Sequence, residues 1–470
     1  MQDHWVNSGS DLHLELTGDG TVRERLMRAL REAIRSGRLA PGTRLPPYRS
    51  LAGDLGVAPN TVGAAYAELV AEGWLVARQG SGTRVAPRAL PPPARRPRRT
   101  VPARRRPVHD LRPSSPDASA FPRTEWLRSA RRALNAAPAE AFGVGDPRGR
   151  IELRTALAEY LARARGVRTT PDRIIVCAGF AHALRLLGEV LEGPVAVEAY
   201  GLGFHRSLLT GAGLDTPPLR IDEGGARIDE LPGTGARAVL LTPAHQYPTG
   251  GPLHPERRAA VIDWASATGG LVLEDDYDGE FRYDRQPVGA VQGLDPDRVV
   301  YLGSVSKSLS PSLRLGWMVV PAHLTDELLR VKGERELWSG VVDQLTLADF
   351  IACGGYDRHV RRMRQVYRRR RDRLVAALAE RAPHITVSGI AAGLHAVLAL
   401  PPGTEEDTVR AARRHGVAVD GLGDYRHPAG VMPPRDGLVV GYGTPPEHGF
   451  AAAVDALVRA LPPARTGYGK

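Results

Sequence analysis

Lys307 stands in a sequence setting that suits covalent chemistry. The lysine follows an apolar run at residues 299–302, and the hydroxyls of Ser304 and Ser306 precede it, with Arg314 a short way beyond. A lysine amine at the end of a buried strand can form a Schiff base with an aldehyde. Hydroxyl groups and a guanidinium can hold a phosphate through charge-assisted hydrogen bonds. A lone lysine in a loop is more often a solvated surface residue, but the serines and the arginine favour a phosphate-bearing ligand.

Three other segments place polar or turn-forming residues directly after short apolar runs. They are Asp275 and Tyr277 after residues 271–273, His245 and Tyr247 after residues 238–241, and the turn of Gly179, Phe180 and Ala181 after residues 174–176. Alone, these segments read as an acidic turn, a proline-rich loop and an ordinary strand-to-helix turn. Doubly wound sheets, however, bind ligands outside the carboxyl ends of their strands, and amides at a helix N-terminus can cradle a phosphate. We therefore count these residues with Lys307 as candidate ligand contacts.

The elements that must position these residues lie in a large region, residues 108–465. Here helical stretches alternate with short apolar runs, at 174–176, 195–197, 238–241, 271–273 and 299–302. Such alternation predicts a large α/β domain built on a doubly wound parallel sheet.

Residues 12–87 have the pattern of a small α/β winged helix-turn-helix domain. Helices are predicted from Val22 to about Ile34, at 49–55 and from Asn60 to Gly73, followed by a hairpin with a glycine-rich tip. The third helix would place its N-terminal side chains in a major groove, while arginines and hydroxyls nearby would contact phosphates. Periodicity alone fits a charged helical domain equally well. The candidate DNA-binding residues are Arg44, Arg49, Asn60, Thr61, Arg78, Gly80, Ser81 and Thr83.

Charge and composition separate the two regions further. Of the net charge of +11, residues 88–107 alone supply +8, because they hold eight arginines and no acid. With six prolines, this segment is predicted to be a stiff linker. It either adds sequence-independent affinity for DNA or is a solvated spacer. The two distant cysteines predict neither a disulfide framework nor a metal site. Without a membrane-length apolar run or a secretory signal, the expected location is the cytoplasm.

The sequence motifs of both regions resemble those of one known family. Residues 21–86 resemble the GntR-type winged helix, notably in Leu-Ala-Pro-Gly-Thr-Arg-Leu-Pro from Leu39 and Ala-Pro-Asn-Thr-Val from Ala58. The four segments of the large region resemble fold-type-I aminotransferases. More narrowly, His-Gln-x-Pro-Thr-Gly from His245 and Glu-Asp-Asp-Tyr-Asp from Glu274 resemble the MocR subfamily, in which a GntR-type winged helix precedes an aminotransferase-like domain.

The resemblance implies a transcription regulator that binds double-stranded DNA and pyridoxal 5′-phosphate (PLP). It implies a Schiff base on Lys307, Asp275 at the pyridine nitrogen and Tyr277 near the ring oxygen. The phosphate would lie among Ser304, Ser306, Arg314 and the Gly179 turn. The family further implies a head-to-tail homodimer, which would read an operator with paired half-sites.

Three positions depart from the family pattern. Pro47-Tyr48 stands where the GntR family often has a serine. Leu202 stands where a tyrosine usually stacks on the cofactor ring, with Tyr200 and Phe204 as candidate replacements. Val439 stands where aminotransferases carry an arginine that grips the substrate carboxylate, and Arg435 is displaced in sequence. Without this clamp an amino acid loses affinity and positioning, which argues against efficient transamination.

Three functions stay open at this point. The first is a regulator, of vitamin B6 synthesis or of amino-compound metabolism, whose effector is PLP or PLP with a small amine. The second is a working aminotransferase fused to a DNA-binding module, which steady turnover would reveal. The third is a dimerisation platform with a decayed cofactor site, which a Lys307-dependent visible absorption band would exclude.

Overall fold

The computed structural model describes residues 14–78, 82–87, 107–113, 115–283, 288–333 and 339–464. The chain divides into two compact units, Met1–Arg105 and Arg106–Lys470. The boundaries expected from the sequence, 12–87, 88–107 and 108–465, stay predictions. Nearly all of the predicted linker lies outside the described residues.

The first unit has three helices and a two-stranded wing. Its elements are α1 (Val22–Arg35), α2 (Tyr48–Leu55), α3 (Pro59–Ala71), β1 (Leu75–Arg78) and β2 (Gly82–Val85). Helix α1 begins with a capping box, in which Thr21 Oγ1 accepts from the Glu24 amide and the Glu24 carboxylate accepts from the Thr21 amide. Leu26 and Ile34 of α1 are buried against Val62 and other apolar residues of α3. The predicted three helices and hairpin are confirmed.

The second unit carries the remaining helices and strands. Its α-helices are α4 (Arg123–Ala136), α5 (Ile151–Arg165), α6 (Phe180–Val190), α7 (Gly203–Gly211), α8 (Pro255–Thr268), α9 (Thr325–Lys332), α10 (Val341–Ala352), α11 (Gly355–Arg381), α12 (Glu405–Arg414) and α13 (Glu447–Ala460). Its strands are β3 (His109–Asp110), β4 (Ile174–Cys177), β5 (Val195–Glu198), β6 (Pro218–Leu219), β7 (Ile221–Asp222), β8 (Gly225–Ala226), β9 (Ala238–Leu241), β10 (Leu271–Asp275), β11 (Val299–Ser304), β12 (Gly316–Val319), β13 (Thr386–Ser388), β14 (His395–Ala399), β15 (Val417–Ala418), β16 (Asp420–Gly421) and β17 (Gly437–Gly441).

A seven-stranded sheet in the order β4-β12-β11-β10-β9-β5-β6 forms the centre of this unit. Strands β9, β10 and β11 run parallel, as do β5, β6 and β9. The five predicted strands are confirmed as β4, β5, β9, β10 and β11. The expectation of a parallel sheet is wrong at β12, which is antiparallel to both β11 and β4. The chain returns from β11 to β12 through a short loop with one 3-10 turn at Pro311–Leu313. Such a connection is too short for a parallel crossover.

A second, antiparallel sheet in the order β13-β14-β17-β16 lies nearer the C-terminus. In its central strands, Val397 pairs with Val439, and Val439 pairs with Asp420 of the edge strand β16. On one face of this sheet, buried residues such as Leu398 and Leu438 share an apolar cluster with the long helix α11 and with α13, whereas Val397 and Val439 belong to another cluster. Within the described ranges, no helix is both long and apolar enough to cross a membrane.

Candidate cofactor pocket and DNA-binding surface

The parallel strands of the large sheet end at a cavity of about 340 Å³, a size typical of small-molecule sites. Seven residues predicted from the sequence line it, namely Lys307, Asp275, Tyr277, Ser304, Ser306, Phe180 and Tyr247. The burial of β9, β10 and β11 on both faces fixes the ends of these strands, and the residues that follow each strand therefore meet at one edge. The structure thus brings the predicted segments together at one cavity, and their role as ligand contacts stays a prediction.

Lys307 reaches into the cavity from the turn that follows β11. Its Nζ donates to the backbone oxygen of Pro113 at 3.3 Å. The enclosed position lowers the pKa of Lys307, while the carboxylates of Asp278 and Asp275 oppose this shift. A lowered pKa leaves more of the amine neutral near pH 7, and the neutral amine is the form that attacks an aldehyde.

Asp275 ends strand β10 and is buried in the cavity wall. Burial, with Asp276 and Asp278 close by, raises the pKa of Asp275 well above its usual range, and Lys307 only partly offsets this. A buried carboxyl in this state gains from a cationic partner. The protonated ring nitrogen of PLP is such a partner, so this residue fits the role that the resemblance implies.

Tyr277 belongs to a buried hydrogen-bonded chain behind the cavity. Its Oη lies 2.9 Å from His245 Nδ1, and the same nitrogen lies 2.9 Å from Asp278 Oδ2. Burial raises the pKa of Tyr277 well above its usual value, which keeps the phenol protonated. His245 is thus placed to orient Tyr277. It is not among the residues described as lining the cavity.

His245 and Asp278 also form a cluster with His395. Their potential ligand atoms lie within 4.8 Å of one another. His395 Nε2 lies 3.1 Å from the backbone oxygen of Pro248, and His245 Nδ1 is used by Asp278. Because these atoms already have hydrogen-bond partners, we assign the cluster a positioning role.

The elements that the sequence predicts to bind a phosphate meet at the turn that opens helix α6. Gly179 is the N-cap of this helix with φ +92°, a conformation that favours glycine. The Arg314 guanidinium approaches it closely, since a Cβ added at Gly179 would lie 3.6 Å from Arg314 Nη1. Ala181 follows in the first turn of α6, and Ser304 Oγ accepts from the Ser306 amide at 3.4 Å. A helix N-terminus, a guanidinium and hydroxyls suit a phosphate.

Leu202 and the two candidate replacements for the stacking tyrosine, Tyr200 and Phe204, differ in whether they line the cavity. Leu202 and Tyr200 line the cavity, whereas Phe204 is 56% exposed and is not among the described lining residues. His205, which we did not predict, lines the cavity and packs on Phe180 with ring centroids 4.4 Å apart. Burial lowers the pKa of His205 to about 4, so this flat ring is neutral near pH 7.

The cavity is also lined by residues that sequence reasoning missed. Asp420 and Tyr425 line it, as do Glu198 and Thr242. Val439 is buried in an apolar cluster that includes Tyr247 and Tyr425. Arg435 lies in a separate surface depression beside α12. Arg435 is therefore absent from the described lining of the cavity, and the sequence offered no motif that marks Asp420.

The first unit presents the N-terminus of α3 to solvent. Pro59 and Asn60 are exposed and Thr61 is half-buried, while Val62 and Tyr66 are buried in the core of the unit. The hydroxyl of Tyr66 donates to the Pro46 backbone at 3.0 Å and ties α3 to the entry of α2. The exposed end is thus held rigidly, as a helix that reads bases requires.

The wing and the start of α2 carry the other predicted contacts. Arg44, Arg49 and Arg78 are exposed, and Thr83 is half-buried in β2. The backbone of Arg44 forms an isolated antiparallel β-bridge with that of Arg84, which joins the segment before α2 to the wing. Gly80 and Ser81 lie outside the described residues. At the position where the family often has serine, Tyr48 begins α2, and the Arg49 guanidinium lies 5.8 Å from the centre of its ring.

Replacing Asn60 by alanine is expected to weaken operator binding by about 10- to 100-fold while non-specific binding changes little, since a lost base contact costs about 1–3 kcal/mol. Arg49→Ala should instead weaken binding to all DNA sequences. It should also reduce by about 1 the slope of the logarithm of the binding constant against the logarithm of the salt concentration. Mobility-shift titrations against operator and scrambled DNA measure both effects. Arg38→Ala, at an exposed site outside α3, is the control. Equal losses on both DNAs for Asn60→Ala would reject a base-reading role.

The chain is similar to known proteins along most of its length. Residues 22–85 match the family described as bacterial regulatory proteins, gntR family, and residues 114–427 match aminotransferase class I and II. The probable rhizopine catabolism regulatory protein MocR of Rhizobium meliloti is 35% identical over 460 residues, with 92% of each chain covered. The HTH-type pyridoxine biosynthesis transcriptional regulator PdxR of Corynebacterium glutamicum is 32% identical over 428 residues, covering 90% of this chain and 92% of PdxR.

A solved structure extends the comparison to the large unit. The α-aminoadipate aminotransferase LysN of Thermus thermophilus, complexed with N-(5′-phosphopyridoxyl)-L-leucine, aligns with a TM-score of 0.67 at 26% identity. The alignment covers 75% of this chain and 91% of LysN. The Lys307 amine, the buried Asp275 carboxyl and the Gly179 turn that Arg314 approaches fit the aldehyde, the ring nitrogen and the phosphate of PLP. This chain therefore belongs to the MocR subfamily of GntR-type transcription regulators, which join a DNA-binding winged helix to a PLP-binding domain of the aminotransferase fold.

Proposed function

We propose that PLP, alone or with a small amine, is the effector of this regulator and that its occupancy of the large unit controls DNA binding. One observation carries the proposal. The Lys307 amine and the Asp275 carboxyl line one cavity, and Arg314 closes on the Gly179 turn that opens α6. When bound, PLP supplies an aldehyde for Lys307 and a phosphate for this turn. The chain's own residues hold the ligand at both ends and can thereby respond to its presence.

The regulated genes we propose are those of vitamin B6 synthesis or of amino-compound metabolism. Two relatives, 32% and 35% identical to this chain, carry names that point to pyridoxine biosynthesis and to rhizopine catabolism. Val439, which is buried where an arginine would grip a carboxylate, favours an effector role for PLP over that of an α-amino acid.

We further propose a head-to-tail homodimer that acts in the cytoplasm on paired half-sites. Large apolar side chains between residues 127 and 151 are exposed, with Leu127 at 68%, Phe142 at 53% and Val144 at 74%. Exposed apolar groups gathered in one segment are typical of protein interfaces. A second copy of the chain would cover them, and a dimer would match a two-fold operator.

PLP is expected to change the affinity for operator DNA by about 5- to 150-fold, the range of typical coupling free energies. A mobility-shift titration of full-length protein, stripped of PLP and then reloaded, measures the shift. Pyridoxine, which lacks both the aldehyde and the phosphate, is the matched control ligand. An unchanged DNA affinity at saturating PLP would contradict the proposal.

A working aminotransferase is the second candidate, and it is favoured by the complete set of Lys307, Asp275 and Tyr277 around the cavity. It requires another group that grips a substrate carboxylate. Steady turnover of an amino acid with a keto acid, lost in Lys307→Ala, would support this alternative.

A further inference from the structure

Asp420 occupies an unexpected place in the cavity. It pairs with Val439 across the edge of the small sheet, so both side chains lie on the same face of that sheet. This is the face that packs toward Tyr247 and Tyr425. Tyr425 Oη donates to Asp420 Oδ2 at 2.8 Å and lies 3.5 Å from Tyr247 Oη. The cavity that Lys307 lines therefore also presents a carboxylate and phenols.

Arg112 and Asp110, two of the charged groups near Asp420, are already paired with each other. Arg112, the nearby cation that counts most for the Asp420 pKa, forms a two-bond ion pair with Asp110 at 2.6 and 2.9 Å. Burial nevertheless raises the pKa of Asp420, because the Tyr425 hydroxyl and the Arg112 guanidinium compensate its charge incompletely. A carboxylate has room for several donors, so Asp420 retains capacity for a ligand.

Two other acids and one arginine line the same cavity. Glu198 accepts from Thr242 Oγ1 at 2.6 Å, and burial raises its pKa to about 7. Asp275 stands at the end of β10, where the ring nitrogen of the cofactor is expected. Arg206 is the guanidinium among the described lining residues, and it donates to the Gly201 backbone at 3.2 Å. Glu198 already accepts from Thr242, and Asp275 is expected to face the cofactor. Asp420 is therefore the acid that remains for a second ligand.

We infer that the cavity takes, beside the cofactor, a primary amine whose other end is a second cation, held by Asp420 and Tyr425. This inference rests on the proposed function, because the first amine of such a ligand faces the cofactor at Lys307. A cation gains a charge-assisted bond from Asp420, whereas a carboxylate at the same point is repelled by it. The ligand class is thus a diamine or a guanidino-amine in place of an amino acid.

Calorimetry with full-length, PLP-loaded protein, desalted to remove free PLP, tests this inference. The probes are 1,4-diaminobutane, 1-aminobutane and 4-aminobutanoate, which share a chain length and differ in their end group, and the five-carbon set is run alongside. We expect the diamine to bind about tenfold or more tighter than the monoamine, and the amino acid to bind most weakly. Asp420→Asn keeps an acceptor for Tyr425 and should abolish the preference.

The control is Asp424→Asn, which removes an exposed acid from the following turn and should leave the preference intact. Tighter binding of 4-aminobutanoate would overturn the inference and assign Arg206 as the anchor. An unchanged preference in Asp420→Asn, or no binding of any probe to the PLP-loaded protein, would overturn it as well. Failure of the proposed function is a distinct result, because it would appear as an unchanged DNA affinity at saturating PLP, measured without any amine probe.

Discussion

Replacing Lys307 by alanine is expected to abolish the visible absorption of PLP-loaded protein and to reduce its PLP content after desalting to background. The chain offers few other amines, because its lysines are Lys307, Lys332 and Lys470. Lys332 is 2% exposed and donates to the backbone oxygens of Val176, at 2.7 Å, and Pro147. A spectrum recorded before and after desalting, together with a phosphate assay, measures the loss.

Two controls separate loss of the cofactor from loss of the fold. The circular dichroism spectrum of Lys307→Ala should match that of the wild type, and its PLP-free affinity for operator DNA should be unchanged. Lys307→Arg retains the charge but lacks the nucleophilic amine, so it should behave like the alanine variant. A retained visible band in either variant would place the covalent linkage elsewhere.

Replacing Arg165 by alanine is expected to lower the free energy of unfolding of the large unit by about 3–5 kcal/mol, because it leaves a buried charge without a partner. Arg165 and Asp276 are 3% and 1% exposed at their side chains and form two hydrogen bonds, of 2.6 and 2.9 Å. Tyr301 Oη also donates to Asp276, at 2.7 Å. Because Asp276 directly follows Asp275, this pair fixes the end of β10 at the cavity.

Urea unfolding of the full chain measures this effect, and Arg163→Ala is the matched control. Arg163 sits on the same helix and pairs with Asp357 at 2.9 Å, but its side chain is 61% exposed. An exposed pair of this kind contributes about 0–1 kcal/mol. Equal effects of the two substitutions would show that the buried pair adds no more than the exposed one. Should Arg165→Ala fail to fold, Arg165→Lys keeps the charge and allows a smaller loss to be measured.

Most of the fold was predictable because apolar runs and helical periodicity are local features. The runs at 174–176, 238–241 and 271–273 became strands β4, β9 and β10 of the large sheet. The reversed direction of β12 was not predictable. A short apolar strand has no periodicity that reports its direction, and only the short loop after Lys307 shows that the chain turns back.

The candidate site was predictable where a motif carries the chemistry. Lys307, Asp275 and the Gly179 turn come from segments with polar residues at strand ends, and the structure brings them to one edge of the sheet. His205 and Asp420 were not predicted, because neither belongs to a sequence motif that indicates ligand binding. Their position depends on how α7 and the edge strand β16 pack against the large sheet, and a local pattern does not contain that information.

Borohydride reduction of the PLP-loaded protein, followed by peptide mass mapping, tests the central claim most directly. Reduction fixes any cofactor that is bound through an imine, and the small number of lysines makes its position unambiguous. We expect a single phosphopyridoxyl group on the peptide that contains Lys307, at close to one per chain. An adduct only on Lys332 or Lys470, or no adduct at saturating PLP, would contradict the assignment of this cavity as the PLP site.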